Sequence, residues 1–264
     1  MAAFADKIYS HKSHAAFRPD YPPSLYDTIL AFQGRRRPRK LRVDLGPGHG
    51  YLSKEFDKVI AVDLSEGMLA TAKSLTLESE YANLGFRKES LENLHFIEDG
   101  AIDLVVAGIL LFVDHPKAAE ILRDYTLNED RDKLGSYWPR SGASIMASMY
   151  RDIKPPDEDW EDVEWIEYIP VTNGRNSGKG TLFVGKGVKV GDYKDMVRTW
   201  CAFHHWQEAH PEALKRSAGG NGDVVDVCFD EIANIETQWK DDDFEVDVEW
   251  ESILLLARRR DSSQ

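Results

Sequence analysis

The feature that most constrains the fold is a short apolar run that ends in a glycine-rich turn. Residues 41–45 read as a β-strand, Gly46-Pro47-Gly48-His49-Gly50 is the turn, and residues 51–57 predict a helix. Because glycine has no Cβ, the backbone of such a turn can approach a ligand closely, and the free N–H groups at the start of the next helix face it. This strand–turn–helix unit indicates an α/β domain.

Strand and helix patterns alternate after the turn. Residues 58–63 and 84–88 read as strands, Ser65-Glu66-Gly67-Met68 opens a helix, and residues 102–107 are a nearly continuous apolar run. Such alternation predicts βαβ units with a parallel sheet, and the apolar run suits a strand covered on both faces. The expected fold is a Rossmann-like α/β sheet with helices on both faces.

The other elements follow from local pattern. Helices are expected after Pro23 and at residues 117–125, 142–152 and 192–210, and extended segments at residues 165–171, 181–190 and 244–258. Four regions are expected: an N-terminal helical lid (1–40), a cofactor-binding core (41–126), a cap with one core strand near 163–171 (127–243), and a final core strand with a tail (244–264).

The spacing of the turn indicates which cofactor it holds. The pattern is G-x-G-x-G at Gly46, Gly48 and Gly50, with Tyr51 where a dinucleotide fingerprint has its third glycine. This departure favours S-adenosylmethionine, or its product S-adenosylhomocysteine, over NAD. Asp44, two residues before Gly46, can face the positively charged amino group of the methionine moiety.

A second carboxylate supports the same cofactor. Asp63 ends the next strand, nineteen residues after Asp44, where it can accept hydrogen bonds from both ribose hydroxyls. Ser90 and Leu91 follow the third strand, where an adenine ring would lie. A glycine turn or a strand-end acid alone arises by chance in α/β proteins, but their combination in this order predicts a cofactor site.

At these residues the chain resembles the class I S-adenosylmethionine-dependent methyltransferases, and more narrowly the trans-aconitate methyltransferase-like group common in fungi. Four segments carry the resemblance: residues 4–23, 43–50, 62–65 with Met68, and 196–206. It implies further cofactor contacts from Leu64, Met68 and Ala107. It also implies that the segment around Tyr9, Arg18 and Tyr21 folds over the cofactor, and that the helix containing Trp200 covers a substrate pocket.

The chain departs from this family in two places. Leu111-Phe112-Val113-Asp114 stands where the family has a His-Trp-Phe-Asp-like segment, and residues 125–138 contain no apolar run for the usual fifth strand. A sheet without this interior strand must place its last strand beside the fourth or expose unpaired edges. Two explanations of the missing fifth strand are open: a natural loss of the strand, or a gene model that omits an exon.

Methyl transfer requires orientation of the acceptor, and a base only for some acceptors. Arg18 and Arg198 can hold a carboxylate acceptor by bidentate hydrogen bonds, although Arg198 is equally well explained as a surface ion pair. His204 or His205 is the candidate base for a hydroxyl or carbon acceptor, with a packed helix residue as the alternative.

The aromatic residues of the second half have two interpretations. Trp138 and Trp200 are candidate substrate contacts, but Tyr137, Trp138, Trp200 and Trp206 also suit the core of the cap. The favoured function is methyl transfer to a small organic acid or secondary metabolite. The alternatives are a methyltransferase-fold cyclase or isomerase and a cofactor-binding subunit without catalysis.

Charge and cysteine content restrict the partners. The net charge of −13 disfavours nucleic acid, and the basic run at residues 35–40 is expected to be a solvated loop. Cys201 and Cys228 form no disulfide framework, and Asp241-Asp242-Asp243 lacks the ligand spacing of a metal site. We expect a cytoplasmic protein with a small-molecule substrate, no metal and no membrane partner, as a monomer or a homodimer.

Overall fold

The structure is a computed structural model of the 264-residue chain. It describes residues 22–33, 41–45, 57–63, 66–76, 82–89, 104–138, 151–152, 154–171 and 173–260. For residues 33, 41–45, 63, 68, 75, 104–111 and 259 it describes the backbone alone.

The described residues contain strands β1 (Leu41–Leu45), β2 (Lys58–Asp63), β3 (Leu84–Lys88), β4 (Leu104–Phe112), β5 (Trp160–Ile169), β6 (Lys179–Gly180), β7 (Gly185–Lys189) and β8 (Glu245–Arg259). The helices are α1 (Pro23–Gln33), α2 (Glu66–Leu75), α3 (Pro116–Leu127), α4 (Val190–Val197), α5 (Cys201–Ala209) and α6 (Val224–Ile235). Short 3-10 helices span Gly135–Tyr137, Arg216–Ala218 and Thr237–Lys240.

Strands β1, β2 and β3 form a parallel sheet in that order. Val59, Ala61 and Val62 of β2 are buried, which matches the near-continuous apolar sequence expected of a central parallel strand. The three strands lie at the predicted residues, and α2 connects β2 to β3 as a βαβ unit requires.

The second sheet has the strand order β4-β8-β5-β6, and β7 pairs with β8. The last strand of the chain therefore lies directly beside the fourth, which is one of the two arrangements that the sequence allowed for a sheet without the usual fifth strand. Residues 128–138, the described part of the interval after α3, form turns and a 3-10 helix and contain no strand. β5 begins five residues before the predicted Trp165 and ends at Ile169.

The described residues fall into two compact units. The first contains the described parts of 108–152 and 167–252, and the second those of 19–107, 153–166 and 253–264. The core of the first unit is aromatic: Phe112 of β4 lies 4.7 Å from Tyr193 of α4 and 4.9 Å from Trp239, measured between ring centroids. In the second unit, Arg258 of β8 lies over the ring of Phe32 of α1, 4.4 Å from its centroid.

Helices α4 and α5 replace the single helix predicted over residues 192–210, so that prediction was wrong. The hydroxyl and the N–H of Thr199 both donate to the Met196 carbonyl, at 2.6 and 2.9 Å. The competing side-chain bond and the tight turn end the first helix. Trp200 then adopts an extended backbone (φ −72°, ψ 144°) as the N-cap of α5.

Candidate active site

The parallel pairing of β1 and β2 brings two predicted cofactor elements to one edge. Leu45, the last residue of β1, pairs with Val62, and Asp63 is the next residue of β2. In the sequence the glycine turn follows Leu45 directly, and the backbone of Asp63 lies at the same carboxyl edge of the sheet as Leu45. The carboxyl edge of a parallel sheet is where α/β domains bind their ligands.

Most of the predicted cofactor contacts lie outside the described residues. These are Gly46, Gly48, Gly50, Leu64, Ser90 and Leu91. Asp44 and Asp63 lie on β1 and β2, Met68 on α2 and Ala107 on β4, each with its backbone alone described. The roles of these ten residues stay predictions, as do those of Tyr9, Arg18 and Tyr21, which also lie outside the described residues.

The end of β3 is linked to the start of α2. Lys88 Nζ lies 3.2 Å from Glu66 Oε2, and both side chains are exposed. Glu66 is also in the first turn of α2, where a carboxylate interacts favourably with the helix dipole. This exposed pair contributes little to stability, but it connects two elements at the carboxyl edge of the first sheet.

Trp138 and Trp200, the predicted substrate contacts, lie together in the first unit. Their ring centroids are 5.8 Å apart at an interplanar angle of 41°, and both side chains are half-buried. The indole N–H of Trp138 donates to the Thr126 carbonyl at 2.8 Å, which anchors this ring to the end of α3. The contact is compatible with both a substrate surface and a cap core.

The two candidate bases on α5 differ in their surroundings. His205 Nδ1 lies 3.0 Å from the Tyr137 carbonyl, so it fastens α5 to the 3-10 helix at Gly135–Tyr137. The ring of His204 lies edge-on to Phe203, with 5.9 Å between centroids, and its side chain is half-buried. His204 is one turn after Trp200 on the same helix. His205 has a structural contact that explains its presence, whereas the catalytic role of His204 stays a prediction.

Arg198 lies at the centre of a group of carboxylates. Its Nε and Nη2 donate to the two oxygens of Asp223 at 2.7 and 3.0 Å, and Nη2 also donates to Asp226 at 2.8 Å. Its Nη1 lies 3.4 Å from Asp195. Burial opposes the charge of Arg198, but the hydrogen bonds and charges of Asp223 and Asp226 outweigh this and raise its pKa. The geometry favours an ion pair over a substrate clamp, although the pair is largely buried rather than at the surface.

Helix α6, which follows Asp223 and contains Asp226, was not predicted from the sequence. The N–H of Asp226 donates to the Asp223 side chain at 2.9 Å, and the N–H of Asp223 donates to the Asp226 side chain at 3.2 Å, which is a capping box at the start of α6. The signals were the Asn-Gly-Asp run before Val224 and the buried apolar residues Val225, Cys228 and Phe229 at helical spacing.

A buried pair between β5 and β8 was also missed. Glu249 is fully buried and accepts a hydrogen bond from the Tyr168 hydroxyl at 2.5 Å. Burial and the bond to Glu249 raise the pKa of Tyr168 to about 12, so its phenol stays a donor at neutral pH. A glutamate in a strand gives no sequence signal for burial, because charged residues are almost always exposed.

The acidic run near the start of β8 pairs with lysines. Asp242 lies 2.7 Å from Lys194 Nζ, and Asp243 lies 2.8 Å from Lys189 Nζ. Within the described residues, no three His, Cys, Asp or Glu side chains are grouped to hold a metal ion. No described helix is long and apolar enough to cross a bilayer.

The chain is similar to known methyltransferases. Residues 43–126 match the family described as a methyltransferase domain. The chain is 21% identical to the probable S-adenosylmethionine-dependent methyltransferase CRG1 of Saccharomyces cerevisiae, over 98% of this chain and 99% of the yeast protein. The alignment spans 302 positions, more than the 264 residues of this chain, so the yeast protein has residues that this chain lacks.

A solved structure assigned as a type II methyltransferase, from Anaeromyxobacter dehalogenans, has a TM-score of 0.54 at 16% identity and covers 92% of this chain and 97% of its own. This similarity confirms the predicted Rossmann-like class I fold. The structural similarity extends over most of the chain, whereas the match to the methyltransferase-domain family covers residues 43–126. The narrower resemblance to the trans-aconitate methyltransferase-like group stays a prediction.

Proposed function

We propose that this chain is an S-adenosylmethionine-dependent methyltransferase that acts on a small organic acid or a secondary metabolite. The observation that carries the proposal is the register of β1 against β2, which places the backbone of Asp63 at the same carboxyl edge as Leu45, the residue before the glycine turn in the matched domain. We expect the acceptor to be a small molecule, because the net charge of −13 opposes binding of nucleic acid.

Two carboxylates of the chain would hold the cofactor, one at its methionine moiety and one at its ribose. Asp44 would accept hydrogen bonds from the amino group of the methionine moiety, and Asp63 from the ribose hydroxyls. The glycine turn would admit the cofactor close to the backbone. When bound, S-adenosylmethionine supplies a methyl group on an already activated leaving group. The protein's contribution is then orientation of the acceptor, an effect worth up to about 7–11 kcal/mol.

The acceptor site is proposed at the pair Trp138–Trp200, with His204 one turn further along α5. Two half-buried indole rings, tilted by 41° to each other, offer an apolar surface for an organic acceptor. His204 would remove the proton of a hydroxyl or carbon acceptor, whereas a carboxylate acceptor needs no base because it is ionised at neutral pH. Since the donors of Arg198 are engaged by carboxylates, Arg18 is the better candidate to orient an acidic acceptor.

A second candidate function is a cyclase or isomerase with the methyltransferase fold, or a cofactor-binding subunit without catalysis. The observation that favours it is the position of β8 directly beside β4, with no strand in the described residues 128–138. A changed strand order next to β4 changes the surroundings of any acceptor held at its carboxyl end.

One experiment separates these functions. The full chain is incubated with labelled S-adenosylmethionine and a panel of organic acids and hydroxylated metabolites. Release of S-adenosylhomocysteine that depends on an acceptor supports methyl transfer. Micromolar binding of the cofactor without turnover on any acceptor contradicts the first proposal and supports the second. No binding of the cofactor contradicts both catalytic functions.

A further inference from the structure

A loop from β5 into β6 is tied to the end of β4. Residues 173–180, which we call the strap, have the sequence Asn-Gly-Arg-Asn-Ser-Gly-Lys-Gly. At its tip, the N–H of Gly174 donates to Asp114 Oδ1 at 2.5 Å. Asp114 is the second residue after β4, which ends at Phe112. The tip of the strap therefore lies at the carboxyl end of that strand.

The root of the strap is fixed to buried groups. The N–H of Asn176 donates to Glu249 Oε1 at 2.6 Å, and the N–H of Gly178 donates to the Tyr168 hydroxyl at 3.1 Å. Glu249 and Tyr168 are at most 1% exposed and are hydrogen-bonded to each other. Breaking these bonds would leave buried polar groups unsatisfied, which is costly, so the root is expected to stay in place.

The tip is held by exposed groups only. Asp114 is exposed, and the second contact of the tip is the ion pair of Arg175 Nη1 with Asp247 Oδ1 at 3.5 Å, between side chains that are 50% and 41% exposed. Exposed pairs of this kind contribute little to stability because water and salt compete for both partners. The tip can therefore detach while the root remains bound.

The backbone at Asp114 is in the left-handed region, with φ +63°. A non-glycine residue persists there only when its surroundings impose the conformation. The hydrogen bond from Gly174, itself at φ +90°, supplies such a constraint. Asparagine and aspartate tolerate this region better than other side chains, because their short polar groups bond locally. Asp114 thus joins an unusual backbone conformation to the tip of the strap.

Ligands of open α/β sheets bind beyond the carboxyl ends of the strands, and loops that close over such sites often control binding and release. We propose that the strap closes over the carboxyl end of β4 and that Asp114 is the positioning residue that latches it there, so that the latched strap retains the bound acceptor, and the acceptor enters and the product leaves when the tip is released. The gating role rests on the proposed methyl transfer, whereas the latch does not.

Three variants of the full chain test the latch. Asp114→Asn keeps both an acceptor oxygen and tolerance of the left-handed backbone, Asp114→Ala removes both, and Asp114→Gly removes the acceptor but relaxes the backbone. The measurement is amide hydrogen exchange of Gly174, whose N–H makes the bond to Asp114, with β7 as the internal reference because it is paired along its length with β8.

We expect several-fold faster exchange at Gly174 in Asp114→Ala and Asp114→Gly, near wild-type exchange in Asp114→Asn, and unchanged exchange at Asn176 and in β7. If Asp114→Gly exchanges like the wild type, the bond to Gly174 does not hold the tip and the latch is contradicted. A rise in β7 as well would indicate general loosening, and would also contradict a local latch.

The gating role is tested separately, by the kinetics of the acceptor. With an acceptor that is turned over, Asp114→Ala should raise the KM for the acceptor several-fold, leave the Kd for S-adenosylmethionine unchanged, and be rescued by Asp114→Asn. Unchanged acceptor kinetics despite faster exchange would contradict gating. If no acceptor is methylated by the wild-type chain, the proposed function fails, while the exchange experiment still decides whether Asp114 latches the strap.

Discussion

Arg198 and Asp223 form a bidentate pair, with Nε–Oδ2 at 2.7 Å and Nη2–Oδ1 at 3.0 Å. Their side chains are 13% and 1% exposed. Since Asp223 also caps α6, the pair joins the end of α4 to the start of α6. Arg198, which the sequence indicated as a possible substrate clamp, therefore joins two helices of the fold.

Replacing Arg198 by alanine should strongly destabilise the fold. The substitution leaves Asp223 buried without its cation, and breaking a buried pair in this way costs about 3–5 kcal/mol. The matched control is Arg216→Ala, because Arg216 pairs with Asp230 between side chains that are about half exposed. There we expect less than about 1 kcal/mol. Urea unfolding measures both, and equal losses for the two variants would contradict the assignment.

Acid should weaken the same junction. Burial opposes the charge of Asp226, but the N–H groups of Arg216 and Asp223 and the charge of Arg198 outweigh it, so the pKa of Asp226 lies below its ordinary value. A carboxyl with a lowered folded-state pKa contributes stability that is complete above its unfolded pKa and is lost as the pH falls through the folded one. The difference in the free energy of unfolding between wild type and Asp226→Asn should therefore shrink as the pH falls below about 4. A difference that is constant from pH 6 to pH 3 would contradict this.

Removing the Tyr168 hydroxyl should destabilise the buried β5–β8 contact. Tyr168→Phe leaves one oxygen of Glu249 and the N–H of Gly178 without a partner, which we expect to cost about 1–3 kcal/mol. Tyr137→Phe is the control, because that hydroxyl donates to the Arg131 carbonyl at an exposed site. Thermal unfolding compares the two, and a Tyr168→Phe variant as stable as the control would show that the buried bond adds nothing.

Substitutions of the two neighbouring histidines of α5 should distinguish a catalytic role from a structural one. His205→Ala loses the contact with the Tyr137 carbonyl and should lower stability by about 1 kcal/mol. His204→Ala should lower kcat for a hydroxyl acceptor by about 100-fold or more if His204 is the base, with a small effect on stability. The melting temperature and the kcat of each variant are measured together. A normal kcat in His204→Ala would exclude it as the base.

The sequence predicted the regular half of the fold well, for a physical reason. In β1, β2 and β3 the apolar pattern of the sequence agrees with the strands of the structure, so local signals suffice there. For the closure of the second sheet the sequence left two outcomes, the last strand beside the fourth or exposed edges, and it did not choose between them.

Long-range polar contacts were not predictable from the sequence. The single helix expected over residues 192–210 fails because a local bond of Thr199 competes with the helix. The roles of Arg198 and Glu249 depend on partners 25 and 81 residues away, which no spacing rule links to them. The residues of the proposed acceptor site are likewise distant in the sequence, so no local pattern predicts that they come together. The strand–turn–helix unit of the proposed cofactor site, in contrast, is a contiguous motif.

The most direct test of the cofactor site is calorimetry of S-adenosylmethionine binding to Asp63→Ala. Asp57→Ala is the control, because Asp57 is an exposed acid immediately before β2, at the strand end opposite Asp63. If Asp63 accepts the ribose hydroxyls, its loss should weaken binding about tenfold or more, since hydrogen bonds to a charged group contribute about 1.5–3 kcal/mol. We predict this loss in Asp63→Ala and unchanged affinity in Asp57→Ala. Equal, undiminished affinity in both variants would contradict the assignment of the cofactor site to the carboxyl edge of β1 and β2.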